Sequence, residues 1–531
     1  MKISILDCTL RDGGYINNWD FAPQHINRIL TSLNAAKIDI IELGYLKDSA
    51  TFGTLFQSIN ALESYASILK TAKKVAMINL GDFNIKSLEK NKNIIDGIRL
   101  AFHKKDLKIA LESAAFIKNL GYKLFLQPMV SKSYSDIEFL QLVQSANKLK
   151  PHAFYIVDSF GSMGLKEFSH YLDMVENNLH SSIKIGYHSH NNMQLAFCNA
   201  IKMCESNLSH DILLDSSIYG IGRGAGNLNA ELIADFLNKE YKKGYKTFYL
   251  LEIIDELLEN LMRTKRWGFS PAQYLSAKLN CHPNYATYLL NQNNYHLTSS
   301  AKILEKIPLN KRINYDKALI DRLYKEFVLN VESQIKGDID LSDKEIFLIA
   351  SGASVAEFKD RILKQIKDSK NPCVISLNHD SKQIPANFCF FSNQKRFDAF
   401  CDSTSPHKLI ITSNIKAKIP LNCVLDLSLY AFLDNELITS VINIILNVLK
   451  TKGIKAVKIA GLDGFSLDKP NYSYEENDCN IDLNAMQQSN KLTQKIINSF
   501  KTQMELEFIT PSVFNADSGG RRAEGGSHCE T

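Results

Sequence analysis

The chain has 531 residues, of which 45% are hydrophobic and 22% charged, with a formal net charge of +5. That length exceeds a single core and points to roughly two to four domains, while the weak, scattered basicity excludes a nucleic-acid footprint. Ten cysteines run from Cys8 to Cys529 without one Cys-x-x-Cys pair; this excludes a disulfide framework or structural zinc site and indicates a reduced, cytoplasmic protein.

No basic stretch leads into a long apolar run at the N-terminus, so no signal peptide is expected. No apolar run reaches the ~18 residues of a membrane span. Apolar runs over residues 2–6, 38–43, 75–80, 97–102, 123–127, 153–157, 184–187 and 212–214 alternate with helical periodicity over 25–33, 55–69, 107–120, 137–149 and 193–204. Eight strand–helix units within residues 1–240 fit the length of a (β/α)8 TIM barrel.

Residues 241–340 read as a helical extension or lid containing Trp267-Gly268-Phe269-Ser270-Pro271, suited to cover one barrel mouth or to mediate homo-oligomer assembly. Residues 341–512 then read as a Rossmann-like α/β domain. Strands are expected over 346–350, 373–377, 388–391, 409–412, 423–427, 456–459 and 506–511, with a helix over 355–366 and another over 434–450 capped by Asp434. The tail, 513–531, lacks apolar residues over most of its length and is expected to be disordered.

The polar residues at the expected strand ends carry the chemistry. Arg11-Asp12-Gly13-Gly14 follows the first strand; Asp158-Ser159 ends the sixth; His188-Ser189-His190 ends the seventh; Gly220 to Asn227 follows the eighth. Barrel enzymes keep their sites at these carboxyl ends. Two histidines at i and i+2 on a strand face the same side. With the Asp12 carboxylate and the Asn227 amide oxygen they make a mixed N/O set, which suits a catalytic rather than a structural metal ion.

Asp7-Cys8-Thr9-Leu10-Arg11-Asp12-Gly13, His188-Ser189-His190-Asn191 and Gly224-Ala225-Gly226-Asn227, in this order, resemble the HMG-CoA lyase-like (DRE-TIM) metallolyase superfamily over residues 1–290. Within it the chain is most similar to the 4-hydroxy-2-oxovalerate aldolases. The resemblance implies that Asp12, His188 and His190 hold a divalent metal (Mn²⁺ favoured; Mg²⁺, Co²⁺ or Zn²⁺ open), with Asn227 as a further ligand. It also implies that Arg11 stabilises an enolate formed from a 2-oxo acid such as pyruvate as a carbon–carbon bond breaks or forms, with Asp158 and Ser159 near the substrate. Those aldolases have a histidine three residues after the metal-binding aspartate, where this chain has Tyr15. A base for the C4 hydroxyl proton is therefore open among Tyr15, Tyr274, Tyr285 and Tyr288. The alternatives are an acyl-CoA-dependent Claisen condensing enzyme and a catalytically degenerate binding protein.

Further along, Ile349-Ala350-Ser351-Gly352-Ala353-Ser354, Leu377-Asn378, Phe390-Phe391-Ser392-Asn393 and Ala460-Gly461-Leu462-Asp463 resemble small bacterial sialyltransferase-like domains. That resemblance implies a nucleotide or nucleotide-sugar site at Gly352, Ser354, Asn378, Asn393 and Asp463, and with it a role in cell-surface glycan biosynthesis. A glycine turn opening a helix can cradle a phosphate, although a bare Gly-x-Ser turn often only joins strand to helix. No histidine base occurs within 471–491, and the acidic stretch 474–478 reads as a solvated loop.

Overall fold

The structure is a computed structural model that describes residues 2–50, 52–91, 93–292, 295–401, 408–421, 423–466, 470–473 and 483–515. It divides into two compact units, Met1–Leu290 with Leu304–Lys317, and Asn291–Ile303 with Ala318–Thr531. The segment 241–340 is thus shared between the units.

The first unit is a closed parallel barrel of β1 (Ile3–Asp7), β2 (Ile40–Leu46), β3 (Lys73–Asn79), β4 (Gly97–Phe102), β5 (Lys123–Pro128), β6 (Ala153–Asp158), β7 (Lys184–Ser189) and β8 (Ile212–Ser216). β1 pairs with both β2 and β8, which closes the ring. Several strands run past their apolar stretch: Asp158 pairs with Ser189, and Asp7 with Ser216. Apolar alternation stops short there because these polar ends lie at the barrel mouth, where Asp7 and Asp158 accept hydrogen bonds from the turns that follow them.

Leu6, Val75, Phe125, Tyr155 and Leu213 fill the barrel interior, and a larger apolar shell lies between strands and helices. The helix over Asp136–Leu149 starts on a capping box, with the Ser135 hydroxyl and the Glu138 carboxylate each taking the other's backbone N–H. One expected helix is absent. Residues 55–69 instead form a short strand (Leu55–Phe56), a 3₁₀ turn (Asn60–Leu62) and a one-turn helix (Glu63–Ala66). Leu55 and Phe56 are drawn into the ladder beside Tyr45 and Leu46, so sheet pairing overrides the helical spacing.

In the second unit β9 (Glu345–Ile349), β10 (Pro372–Leu377), β11 (Phe388–Phe391), β12 (Leu409–Thr412), β13 (Cys423–Leu425), β14 (Ala456–Ala460) and β15 (Glu505–Phe508) form one parallel sheet. The order is β13-β12-β11-β10-β9-β14-β15, which reverses between β9 and β14. The expected helix over 355–366 is broken at Phe358 into Ser354–Glu357 and Lys359–Asp368. Asp434 is not a helix cap. It and Asn435 take positive φ (49° and 65°) in a hairpin between Phe432–Leu433 and Glu436–Leu437, and the helix begins later, at Val441. An Asp-Asn pair suits such a two-residue turn because both residue types tolerate left-handed backbone.

A helix over Leu483–Lys501 was not expected from the sequence. The acidic stretch 474–478 and residues 516–531 of the expected tail lie outside the described residues, and just before them Phe514 is buried. No helix among the described residues is long and apolar enough to cross a membrane.

Candidate active site and metal centre

At the carboxyl end of β1 the backbone turns at once into a helical turn, Thr9–Asp12, and presents Arg11 and Asp12 inward. His188 closes β7 and His190 follows it. Asn227 forms an isolated antiparallel bridge with His190, and Asn191 N–H donates to the Gly226 carbonyl at 2.8 Å. The glycine loop after β8 is therefore stitched onto the His-x-His strand end.

Asp12, His188 and His190 each offer a ligand atom, and these atoms lie within 4.8 Å of one another. All are buried, at 1%, 5% and 7% exposure. Two glycines make room. A Cβ on Gly222 would come 2.4 Å from Asn227 Nδ2 and 2.7 Å from Asp12 Oδ2, and one on Gly226 (φ 80°) would strike the Gly220 carbonyl.

A cation fits this cradle on the structure's own terms. Asp12 Oδ2, His190 Nδ1 and Asn227 Oδ1 are buried and have no hydrogen-bond partner. Buried polar atoms are rarely left so. The Asn227 amide donates to the Ile221 carbonyl at 3.2 Å, which turns its oxygen away from that bond. Burial opposes ionisation of Asp12, yet Arg11, His190 and His188 together hold its carboxyl below the usual range. Burial also pushes His190 down to about 3 against the pull of Asp12, so its ring is neutral near pH 7, the form that ligates metals. Carboxylate, imidazole and amide oxygen make a donor set for a divalent ion with open positions.

Beneath the cradle lies a charged network that the sequence reading missed. Arg11 pairs with Asp12 and donates from Nε to Glu42 at 2.8 Å. Glu42 also accepts from Arg99 at 2.7 Å; Arg99 pairs with Asp215, and Asp215 lies 2.9 Å from His188 Nδ1. Glu42, Arg99 and Asp215 are wholly buried. The available signal was a charge set in the middle of each apolar strand: Ile41-Glu42-Leu43, Ile98-Arg99-Leu100 and Leu214-Asp215-Ser216. Such a residue in a barrel interior needs a partner there.

The remaining residues singled out from sequence divide. Tyr15 is 40% exposed and shares a 3.1 Å hydroxyl contact with Tyr45. It is Tyr45, not Tyr15, whose ring carries the Arg11 guanidinium, at 5.8 Å. Tyr274 is 36% exposed, beside Phe269 and Lys278 of its own segment; its neighbour Gln273 is the residue that reaches the site loops, accepting from Asn192 at 3.4 Å. The hydroxyl of Tyr285 bonds to the Lys311 and Asn314 carbonyls. Asp158 and Ser159 line a cavity of about 280 Å³ with Lys132, Phe160 and Arg312. Their side chains serve the backbone: Asp158 accepts from Ser162 and Met163 N–H, and Ser159 Oγ from Val130 N–H.

In the second unit, Gly352 N–H donates to the Gly461 carbonyl, and Asp463 accepts both the Ser354 N–H and its hydroxyl. Asn378 accepts from Ser392 N–H, and Asn393 caps the helix Gln394–Phe400. Each of these five residues thus has an internal structural bond.

Among known proteins, the HMGL-like family matches residues 2–256. The 4-hydroxy-2-oxovalerate aldolase of Carboxydothermus hydrogenoformans is 26% identical over 269 residues, 49% of this chain and 79% of that one. The oxaloacetate decarboxylase of Mycobacterium tuberculosis is 23% identical over 239 residues, 44% and 70% of the two chains. A crystal structure of the N-terminal domain of a Bacteroides vulgatus protein, described as a candidate aldolase, is 28% identical with a TM-score of 0.49, covering 54% of this chain and 96% of that domain. Residues 2–256, just under half of this chain, thus form a domain similar to the HMGL-like family.

Proposed function

We propose that the barrel cleaves or forms a carbon–carbon bond next to the keto group of a 2-oxo acid, with a divalent metal held by Asp12, His188, His190 and Asn227. The observation that carries this reading is the convergence of buried, unpartnered Asp12 Oδ2, His190 Nδ1 and Asn227 Oδ1 with the equally unpartnered Arg11 Nη2. A divalent ion, Mn²⁺ in this reading, would offset the substrate carboxylate's charge and the negative charge that grows on its keto oxygen. Arg11 directs Nη2 into the same space and stabilises the enolate oxygen; Glu42 fixes its Nε edge. Asp215 orients the His188 ring from behind. We assign relay of the C4 hydroxyl proton to the Tyr15 hydroxyl, which is hydrogen-bonded to Tyr45 beside Arg11 and 40% exposed: it accepts that proton as it releases its own to solvent water.

A cytoplasmic location fits the eight described cysteines, all free thiols. The further idea of a glycan-building role rests on analogy for the second unit alone. Asp463 already occupies the donors at the glycine turn, which argues against phosphate binding there.

The test is metal analysis of the full chain together with exchange of the pyruvate C3 protons. The Mn²⁺-loaded protein should exchange them, and Asp12→Asn should lose both metal and exchange. Absence of exchange in the loaded protein, with Asp12→Asn altering neither metal content nor activity, sinks the reading.

A further inference from the structure

One cation at the barrel mouth has no part in the network described above. Arg223 stands in the loop after β8, four residues before Asn227. Its guanidinium donates from one Nη to the Ser159 carbonyl at 3.1 Å, beyond β6, and lies 5.8 Å from the Tyr15 ring, beyond β1. Three strand ends thus fix its position. It is half-buried, and among the described residues no carboxylate lies within ion-pairing distance. The nearby Asp158 carboxylate is taken by two backbone N–H groups, and Asp12 belongs to the metal cradle.

Two imidazoles lie in the same region. Burial pushes His282 down to about 3, and Arg223 and His103 push in the same direction. Burial and Lys105 lower His103, with Arg223 adding to the effect. The His282 ring packs 6.1 Å from Phe160, next to Ser159. Both rings are therefore neutral donors or acceptors near pH 7. The Arg223 carbonyl accepts from Gly226 N–H at 3.2 Å, directly before Asn227, which ties the Arg223 loop to the metal cradle.

A half-buried guanidinium without a carboxylate, braced by a carbonyl and an aromatic face, is a receptor for an anion. We infer that Arg223 binds a second negative group, a carboxylate or phosphate, at the end of the substrate distal to its 2-oxo acid group. This rests on the 2-oxo acid reading above and sharpens it: the preferred substrate carries two anionic ends, one held in the metal cradle and one at the mouth. Arg223 is on this account a specificity-determining residue, distinct from Arg11, whose donors are directed at the reacting oxygen.

The experiment is calorimetric titration of the Mn²⁺-loaded full chain with three 2-oxo acids of similar length. These are 2-oxoglutarate (distal carboxylate), 2-oxo-4-phosphonobutanoate (distal phosphonate) and 2-oxohexanoate (distal methyl). At least one of the two dianionic ligands should bind about tenfold or more tightly than 2-oxohexanoate, the scale of a charge-assisted hydrogen bond; which one does separates carboxylate from phosphate. The preference should fall to about one in Arg223→Gln and persist in part in Arg223→Lys, a graded pattern that misfolding does not produce. Equal affinity for all three, or a preference that survives Arg223→Gln, overturns this inference and leaves the 2-oxo acid reading standing. Failure of all three to bind overturns both.

Discussion

Two sets of parallel strand ends in this protein carry a glycine turn beside a carboxylate, and they use it in opposite ways. At the barrel, Gly222 lets Asp12 and Asn227 approach each other, and several of the polar atoms around them remain unpartnered. In the second unit, Gly352 lets Asp463 approach Ser354, and that carboxylate is satisfied by the Ser354 N–H and hydroxyl, with Thr510 bonded to the same hydroxyl. The first arrangement leaves an electrostatic demand that a ligand answers. The second answers its own demand and acts as a clasp between β9 and β14. Equivalent positions in similar architecture thus do not imply equivalent roles; the bookkeeping of donors and acceptors separates them.

Four substitutions test that contrast, from the largest expected effect to the smallest. Arg99→Met removes the cation between Glu42 and Asp215 and leaves two buried carboxylates facing each other. Breaking a buried pair in this way should cost about 3–5 kcal/mol, measured as a lower denaturant midpoint for the barrel; an unchanged midpoint would mean that the network does not support the site. Asp463→Ala opens the clasp, and about 1–3 kcal/mol should be lost from the second unit while metal content stays the same. A change in metal content instead would show that the two regions are not separable.

Gly222→Ala drives a methyl group between Asn227 and Asp12. Metal affinity should drop about tenfold, an effect of roughly 1.4 kcal/mol, with little change in the melting temperature. A comparable loss of stability would identify Gly222 as structural rather than as a site residue.

The smallest effect concerns Asp7, wholly buried at the end of β1, where burial raises its carboxyl to about 7 despite two hydrogen bonds from Thr9. The folded chain keeps a proton that the unfolded chain releases near pH 4, so this group's contribution to stability falls as pH rises toward 7 and is constant above it. Between pH 6 and 7.5 the loss should be about 1 kcal/mol, and Asp7→Asn should abolish that slope. Parallel slopes for the two proteins would mean that Asp7 is ionised in the fold.

The legible part of this chain was the part in which chemistry sits on local sequence. All eight barrel strands and the Asp12, His188 and His190 positions follow from short-range pattern, because a strand end and an i, i+2 pair are local objects. Partnerships across the fold were not legible. Ser354 and Asp463 are 109 residues apart, and Arg99 and Asp215 are 116 apart; neither pair leaves a periodic trace. Tyr15 stood out because the resemblance implies a histidine at that position, whereas Tyr45, which lies under the Arg11 guanidinium, falls beyond the expected strand over 38–43 and was not singled out. The expected helix over 55–69 failed for a similar reason. Its apolar spacing is real, but the edge of β2 claims its first residues.

The buried chain from Asp12 through Arg11, Glu42 and Arg99 to Asp215 also fixes a charge parity. Three carboxylates and two guanidiniums leave one negative charge beneath the mouth. A divalent ion reverses that sign to a single positive charge, and the carboxylate of one 2-oxo acid neutralises it. Drift at any one member disturbs this balance by a whole unit. Related barrels should therefore change these positions in compensating pairs, and a lone charge-altering replacement should mark a barrel that no longer binds an anion.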